Sequence, residues 1–260
     1  MKDLFISVDI EADGPIPGEY SMLSFGAVAF DKESIKDTFY GKLRPLPGAK
    51  QHSDTMEWWA KHPEAWKETT EDAEDPCQVM VRFMSWLSDF TNEGMRPVLV
   101  GYPVAYDAMF LTWYYWKFLE RRPPWGHQGL DIKTAAWIRL GYNYGLTVKA
   151  SFPKYWFKGA QRPMAHCALD DAKSQAVLLR NILKDDAPPP KNAEGFLTLL
   201  DRLAPEANVK VLKQMGQPFP AIANIVAHSV FVNDIRDPNV AVLRAYLKVL
   251  RENGFYEFKS

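Results

Sequence analysis

The stretch LFISVDIEADG, residues 4–14, runs like a buried strand and then carries two acids, Asp9 and Glu11, in its last third. Alternate side chains of a strand face opposite sides, so Phe5, Ser7, Asp9 and Glu11 share one face while Leu4, Ile6, Val8 and Ile10 share the other. The two acids then lie about 6.6 Å apart along the backbone, at roughly 3.3 Å per residue. Carboxylates held that close repel unless a cation sits between them. For an isolated Asp-x-Glu, the ordinary alternative is a strand end with both acids in water.

Outward from this strand, SMLSFGAVAF and DTFYGKLRPL follow as two more strands across short, turn-rich connections, which favours an antiparallel start. SDTMEWWAKH reads as a helix with Ser53 or Asp54 as N-cap, and PCQVMVRFMSWLSDF as a second with Pro76 at its start. PVLVGY supplies a fully apolar strand, followed by the aromatic-rich helix VAYDAMFLTWYYWKFLE and by GLDIKTAAWIRLGY. A last helix of this region begins near Ala168 and runs to about Leu183. A meander followed by strand–helix units implies an α/β fold, a mixed sheet covered by helices.

The prolines of DDAPPPKNA cannot continue a helix. Residues 1–184 are therefore read as one domain, 185–193 as a linker and 194–260 as a helical C-terminal extension, with NVAVLRAYLKVLREN its clearest amphipathic run.

With 260 residues, 47% hydrophobic and 24% charged, the chain has an ordinary globular composition. A net charge of −1 excludes the strongly basic character of non-specific duplex binders, so any nucleic-acid contact must be local. Cys77 and Cys167, far apart and without metal-ligand spacing, suit a reducing compartment. No basic-then-apolar leader precedes Leu4, and no apolar run reaches the roughly 18 residues a membrane helix needs. A cytoplasmic protein with no membrane contact is expected.

Two further acids stand out. Asp107 follows PVLVGY and aligns with Phe110, Leu111, Tyr114 and Phe118 on a helical stripe. An acid on a buried stripe needs a partner, although a first-turn acid facing the helix dipole is equally ordinary. In HCALDDAKSQAVLLRNIL, Asp171 shares its stripe with Gln175, Leu178 and Ile182, whereas Asp170 projects with Ser174 and Asn181. Asp171 is thus the inward acid and Asp170 a solvated one. His166 lies five residues before Asp171 and reaches the same place only from the preceding loop.

Asp-x-Glu on a first strand, an aspartate after a later strand and His-x-x-x-x-Asp opening a last helix, in that order, resemble the DEDDh exonucleases, the DnaQ-like and RNase T-like 3′-5′ nucleases. The match covers roughly residues 3–184 and includes HCALDDA. The resemblance implies a ribonuclease H-like, five-stranded mixed sheet flanked by helices. It further implies two divalent ions, Mg²⁺ or Mn²⁺, held by Asp9, Glu11, Asp107 and Asp171, with His166 as general base. Hard carboxylate oxygens suit these cations, and a histidine with an ordinary pKa near 6.5 suits proton removal at neutral pH. The expected substrate is the 3′ end of single-stranded DNA or RNA, released as nucleoside 5′-monophosphates.

The chain departs from the family at Tyr102-Pro103, where His-Asn often stands, and keeps the aromatic Tyr106 beside Asp107. Candidate substrate contacts are Ala12, Tyr106, Lys154, Lys158 and Arg162. The last three belong to KASFPKYWFKGAQR, whose basic and aromatic residues suit single-strand binding or, equally, a loop capping the core. DTMEWWAKHPEAW resembles a Trp-pair segment of an exoribonuclease-like bacterial and phage branch, which tilts the substrate toward RNA. Packing under a helix is the commoner use of Trp58 and Trp59. Asp131 is most simply a helix cap, and His52, His62, His127 and His228 show no ligand-like spacing. The competing reading is a non-catalytic nucleic-acid-binding or polymerase-associated accessory module of the same fold. The residues leave oligomeric state open, a homodimer being one candidate.

Overall fold

The computed structural model describes residues 2–140, 144–161 and 164–185. The linker beyond Asp185, the extension over 194–260, His228 and Arg162 lie outside the described residues. Two compact units divide the chain, one of Met1–Ile132 with Gly159–Leu183, the other of Lys133–Lys158 with the chain from Lys184.

The first unit holds the sheet. Its five strands are β1 (Lys2–Ala12), β2 (Met22–Phe30), β3 (Ile35–Lys42), β4 (Met95–Gly101) and β5 (Gly129–Asp131), in the order β3-β2-β1-β4-β5. β1 to β3 form the antiparallel meander expected from the short connections, and β4 joins β1 in parallel, as β5 joins β4. The fold is thus α/β with a mixed sheet. Pairing between β1 and β4 runs from Lys2 to Ser7 of β1 and stops there, while β1 continues to Ala12 against β2 alone.

The strand's alternation decides the two layers. Leu4, Ile6, Val8 and Ile10 meet Val79, Phe83 and Leu87 of α3 (Pro76–Asn92) and Phe110, Leu111 and Tyr114 of α4 (Val104–Leu119) in one core. The opposite face is covered by α6 (Ala168–Lys184), whose small Ala168, Ala172 and Ala176 are buried. Gly26 of β2 permits the approach: a Cβ added there would lie 2.4 Å from the Leu169 Cα.

Pro76 opens α3 as anticipated, and Asp75 caps it by accepting from the backbone N–H groups of Cys77 (3.0 Å) and Gln78 (3.3 Å). The start of α1 (Ser53–Trp59) corrects the sequence expectation. His52 occupies the N-cap without a side-chain cap bond, and its backbone N–H donates to the Asp13 carbonyl (2.9 Å), which places the start of the helix. A further helix, α2 (Pro63–Thr70), was not anticipated; Pro63 starts it.

In the β2–β3 connection Asp31 accepts from the N–H groups of Glu33 and Ser34, both at 2.8 Å, and pairs with Lys36 at 2.7 Å. The Lys36 contact, helped by the Ser34 N–H, lowers its carboxyl to about 2. A carboxyl lowered on folding adds stability above its ordinary pKa and loses it as pH falls through the folded value. Asp31→Asn is therefore expected to cost about 0.5 kcal/mol at pH 7, the scale of an exposed ion pair. Urea titrations of the two proteins should converge as pH approaches 2.

In the second unit, which α5 (Ile132–Leu140) enters, aromatic side chains pack on one another. Phe152 and Trp156 are buried, and Trp156 Nε1 (2.8 Å) and the Tyr155 hydroxyl (2.7 Å) both donate to Asp185 Oδ2. Lys154 and Lys158 are exposed. Among the described residues no helix is long and apolar enough to cross a membrane.

Candidate metal centre

Asp9 and Glu11 sit opposite Gly26 and Ser24 of β2, on the sheet face that α6 covers, and beyond the last residue of β1 that pairs with β4. Both are half-buried. Asp171, in the first turn of α6, is buried, and Gln175 one turn later donates Nε2 to Asp9 Oδ1 at 2.7 Å. The helical stripe read from the sequence thus points at β1.

Asp107 arrives from the other layer. It lies in the first turn of α4, buried, and its Oδ1 accepts from the N–H of Ile10 at 3.2 Å, between the two β1 acids. Gly101 leaves room for it, since a Cβ there would come within 2.9 Å of Asp107 Oδ2. Asp131 accepts from the N–H of Val104 (3.1 Å), so it caps the helix that carries Asp107.

His166 reaches the cluster from the loop before α6, in the left-handed region with φ +62°. Glu11, His166 and Asp171 each offer a ligand atom, all within 4.8 Å of one another. Asp170 turns away, accepting from the N–H of Met164 (3.3 Å) and approaching Lys173 (3.6 Å).

Tyr106 donates its hydroxyl to the Gly14 carbonyl at 3.2 Å and is itself 39% exposed. Burial first, then the charges of Asp107, Glu11 and Asp13, push its hydroxyl up to about 12, so it stays a donor. The side chain of Ala12 is buried in the core, and its carbonyl accepts from Trp59 Nε1 (3.0 Å).

Sequence reading passed over Asp13 and set His62 aside for want of ligand-like spacing. Asp13 is almost fully buried, its carboxyl pushed up chiefly by that burial, and it accepts from the N–H of Ser21 to close the loop after β1. An acid directly before the Gly14 turn was the available signal. His62 places its ring 5.0 Å from that of His166. Trp59 packs in the core as expected, whereas Trp58 is half-buried and meets His166 edge-on at 4.6 Å.

The donor set fits hard divalent cations: carboxylate oxygens from β1, α4 and α6, with an imidazole alongside. Gln175 Oε1, buried beside them, has no hydrogen-bond partner among the described residues, an acceptor that a hydrated cation suits.

The chain is 32% identical over 191 residues to the 3′-5′ DNA exonuclease Cap18 of Escherichia coli, covering 70% of this chain and 93% of that protein. The nuclease domain of 3′hExo, a DEDDh family member bound to rAMP, superimposes with a TM-score of 0.53 at 17% identity, covering 71% of this chain and 94% of that one. A 3′-exonuclease that recognises the 3′ end of a histone mRNA stem-loop gives 0.53 at 19% identity, covering 71% and 83%. These two likenesses speak for the fold. Residues 4–183 match the model of the 3′-5′ exoribonuclease Rv2179c-like domain, and to that family of 3′-5′ exonucleases the chain belongs.

Proposed function

We propose that the protein removes nucleotides from the 3′ end of single-stranded DNA or RNA, with Asp9, Glu11, Asp107 and Asp171 holding two divalent ions and His166 acting as general base. The observation that carries this reading is the meeting of Glu11, His166 and Asp171 at one point, with Asp9 and Asp107 tied in through Gln175 and the Ile10 amide. Bound divalent ions would neutralise the phosphate and stabilise the attacking and leaving oxygens. Water attacks phosphorus, and the P–O3′ bond breaks. His166 takes the proton of the water, and the departing O3′ gains one, giving a shortened strand with a 3′-hydroxyl and a nucleoside 5′-monophosphate.

Gln175 orients Asp9, and the Ile10 amide orients Asp107, so each carboxylate is held before substrate arrives. Tyr106, Lys154, Lys158 and Arg162 are proposed to contact the strand. Residues 1–184 would carry catalysis and 194–260 would form an extension behind a 185–193 linker.

The matched family model is described as an exoribonuclease and the bacterial relative as a DNA exonuclease, so the sugar is the open variable. Digestion of matched 5′-labelled DNA and RNA oligonucleotides, from dinucleotide to about 20-mer, should show stepwise shortening from the 3′ end. EDTA should stop it, and Mg²⁺ or Mn²⁺ should restore it. Binding of either strand without cleavage in any divalent metal would return the accessory-module reading.

A further inference from the structure

α1 ends at Trp59 and α2 begins at Pro63, and the corner between them is pinned to the end of β1. Trp59 Nε1 donates to the Ala12 carbonyl (3.0 Å), and the N–H of His52, just before α1, donates to that of Asp13 (2.9 Å). His62 is fixed on both sides, its N–H donating to the Trp59 carbonyl (2.8 Å) and its carbonyl accepting from Trp66 (2.9 Å). Its ring Nδ1 lies 2.9 Å from the Trp58 carbonyl, which only accepts, so Nδ1 carries a proton. Trp58 lies flat against His62, with centroids 4.2 Å apart and planes at 30°, and meets His166 at 89° and 4.6 Å. The His62 ring closes the triangle with His166 at 5.0 Å and 67°.

His166 belongs to a short loop and has a backbone conformation that few residues other than glycine adopt. Its support therefore has to come from neighbours. We infer that Trp58 and His62 are positioning residues for His166: together they form an aromatic wall that sets the imidazole rotamer and aims it at Glu11 and Asp171. His62 keeps the Trp58 ring upright, and the Trp58 ring keeps His166 turned inward. This rests on the general-base role of His166, and it assigns to the Trp58–His62 pair a task that neither packing nor base stacking describes.

In the full-length protein, Trp58→Ala should lower kcat by about 10²-fold, the cost of misplacing a reacting group by roughly 1 Å, and leave KM unchanged. In a His166→Ala background the same change should cost nothing further, because the residue it positions is gone. His62→Ala should lower kcat in part, whereas His62→Phe, which keeps a flat ring for Trp58, should retain most of the wild-type value. NMR of the metal-free protein supplies a readout independent of turnover. The His166 ring protons should show a ring-current displacement that Trp58→Ala abolishes and His62→Phe preserves.

A rise in KM with kcat intact would assign Trp58 to the substrate and overturn the inference. So would additivity with His166→Ala, or a His62→Phe enzyme as slow as His62→Ala. If His166→Ala itself keeps the wild-type rate, the general-base reading falls, and the ring-proton displacement alone decides whether the wall orients His166.

Discussion

Asp171→Ala is expected to lower the rate of 3′-end shortening by on the order of 10³-fold while the protein still melts cooperatively. Asp171 stands in the first turn of α6, where Glu11 and His166 present ligand atoms within 4.8 Å. Gln175, which holds Asp9, is one turn further along the same helix. On the proposed reading, removing this carboxylate deletes a metal ligand from the group that Glu11 and His166 complete. It also relieves crowding of like charge, so the metal-free variant should melt no lower than the wild type. Rates on an end-labelled oligonucleotide at several Mn²⁺ concentrations, beside a thermal melt, separate the two effects. A wild-type rate at every metal concentration would remove Asp171 from the ligand set.

The second large effect is expected where no chemistry occurs. A Cβ on Gly26 would lie 2.4 Å from the Leu169 Cα and 2.5 Å from both the Ala168 carbonyl oxygen and the Leu169 nitrogen. All three are backbone atoms, so no side chain can swing aside, and the first turn of α6 has to move away from β2. Gly26→Ala should therefore cost about 3 kcal/mol, the upper end of overpacking, visible as a lowered denaturation midpoint. Activity should fall further than stability requires, because the displaced turn lies between His166 and Asp171. Folding at wild-type stability would mean that β2 yields instead, and would leave the site unmoved.

The meander and the paired acids were legible because a period of two is unmistakable when one face must be buried: Leu4, Ile6, Val8 and Ile10 are all in the core. Periodicity also separated Asp171 from Asp170 and placed Asp107 on the buried stripe with Phe110 and Tyr114. What a period cannot carry is a contact across the fold. Neither the commitment of Asp131 to the start of α4 nor the closeness of Gly26 to α6 has a local signature. α2 was hidden because Pro63 reads equally as a stop to the preceding helix and as a start to the next. Spacing dismissed His62, since its partner His166 is distant in sequence. Composition left residues 149–162 level between single-strand binding and a loop capping the core; Phe152 and Trp156 are buried, and Tyr155 and Trp156 are tied to Asp185. Aromatic rings build cores and stack bases with the same surface, and only burial tells the two apart.

The early end of the β1–β4 ladder has a consequence of its own. Past Ser7 the main chain of β1 has no strand beside it on that side among the described residues, and the Ile10 amide is claimed by a carboxylate instead. That hydrogen is thus guarded by an ionisable side chain, and its exchange with deuterated solvent depends on whether Asp107 keeps hold of it. A single peptide group on the open side of β1 becomes a built-in gauge of how firmly Asp107 is held.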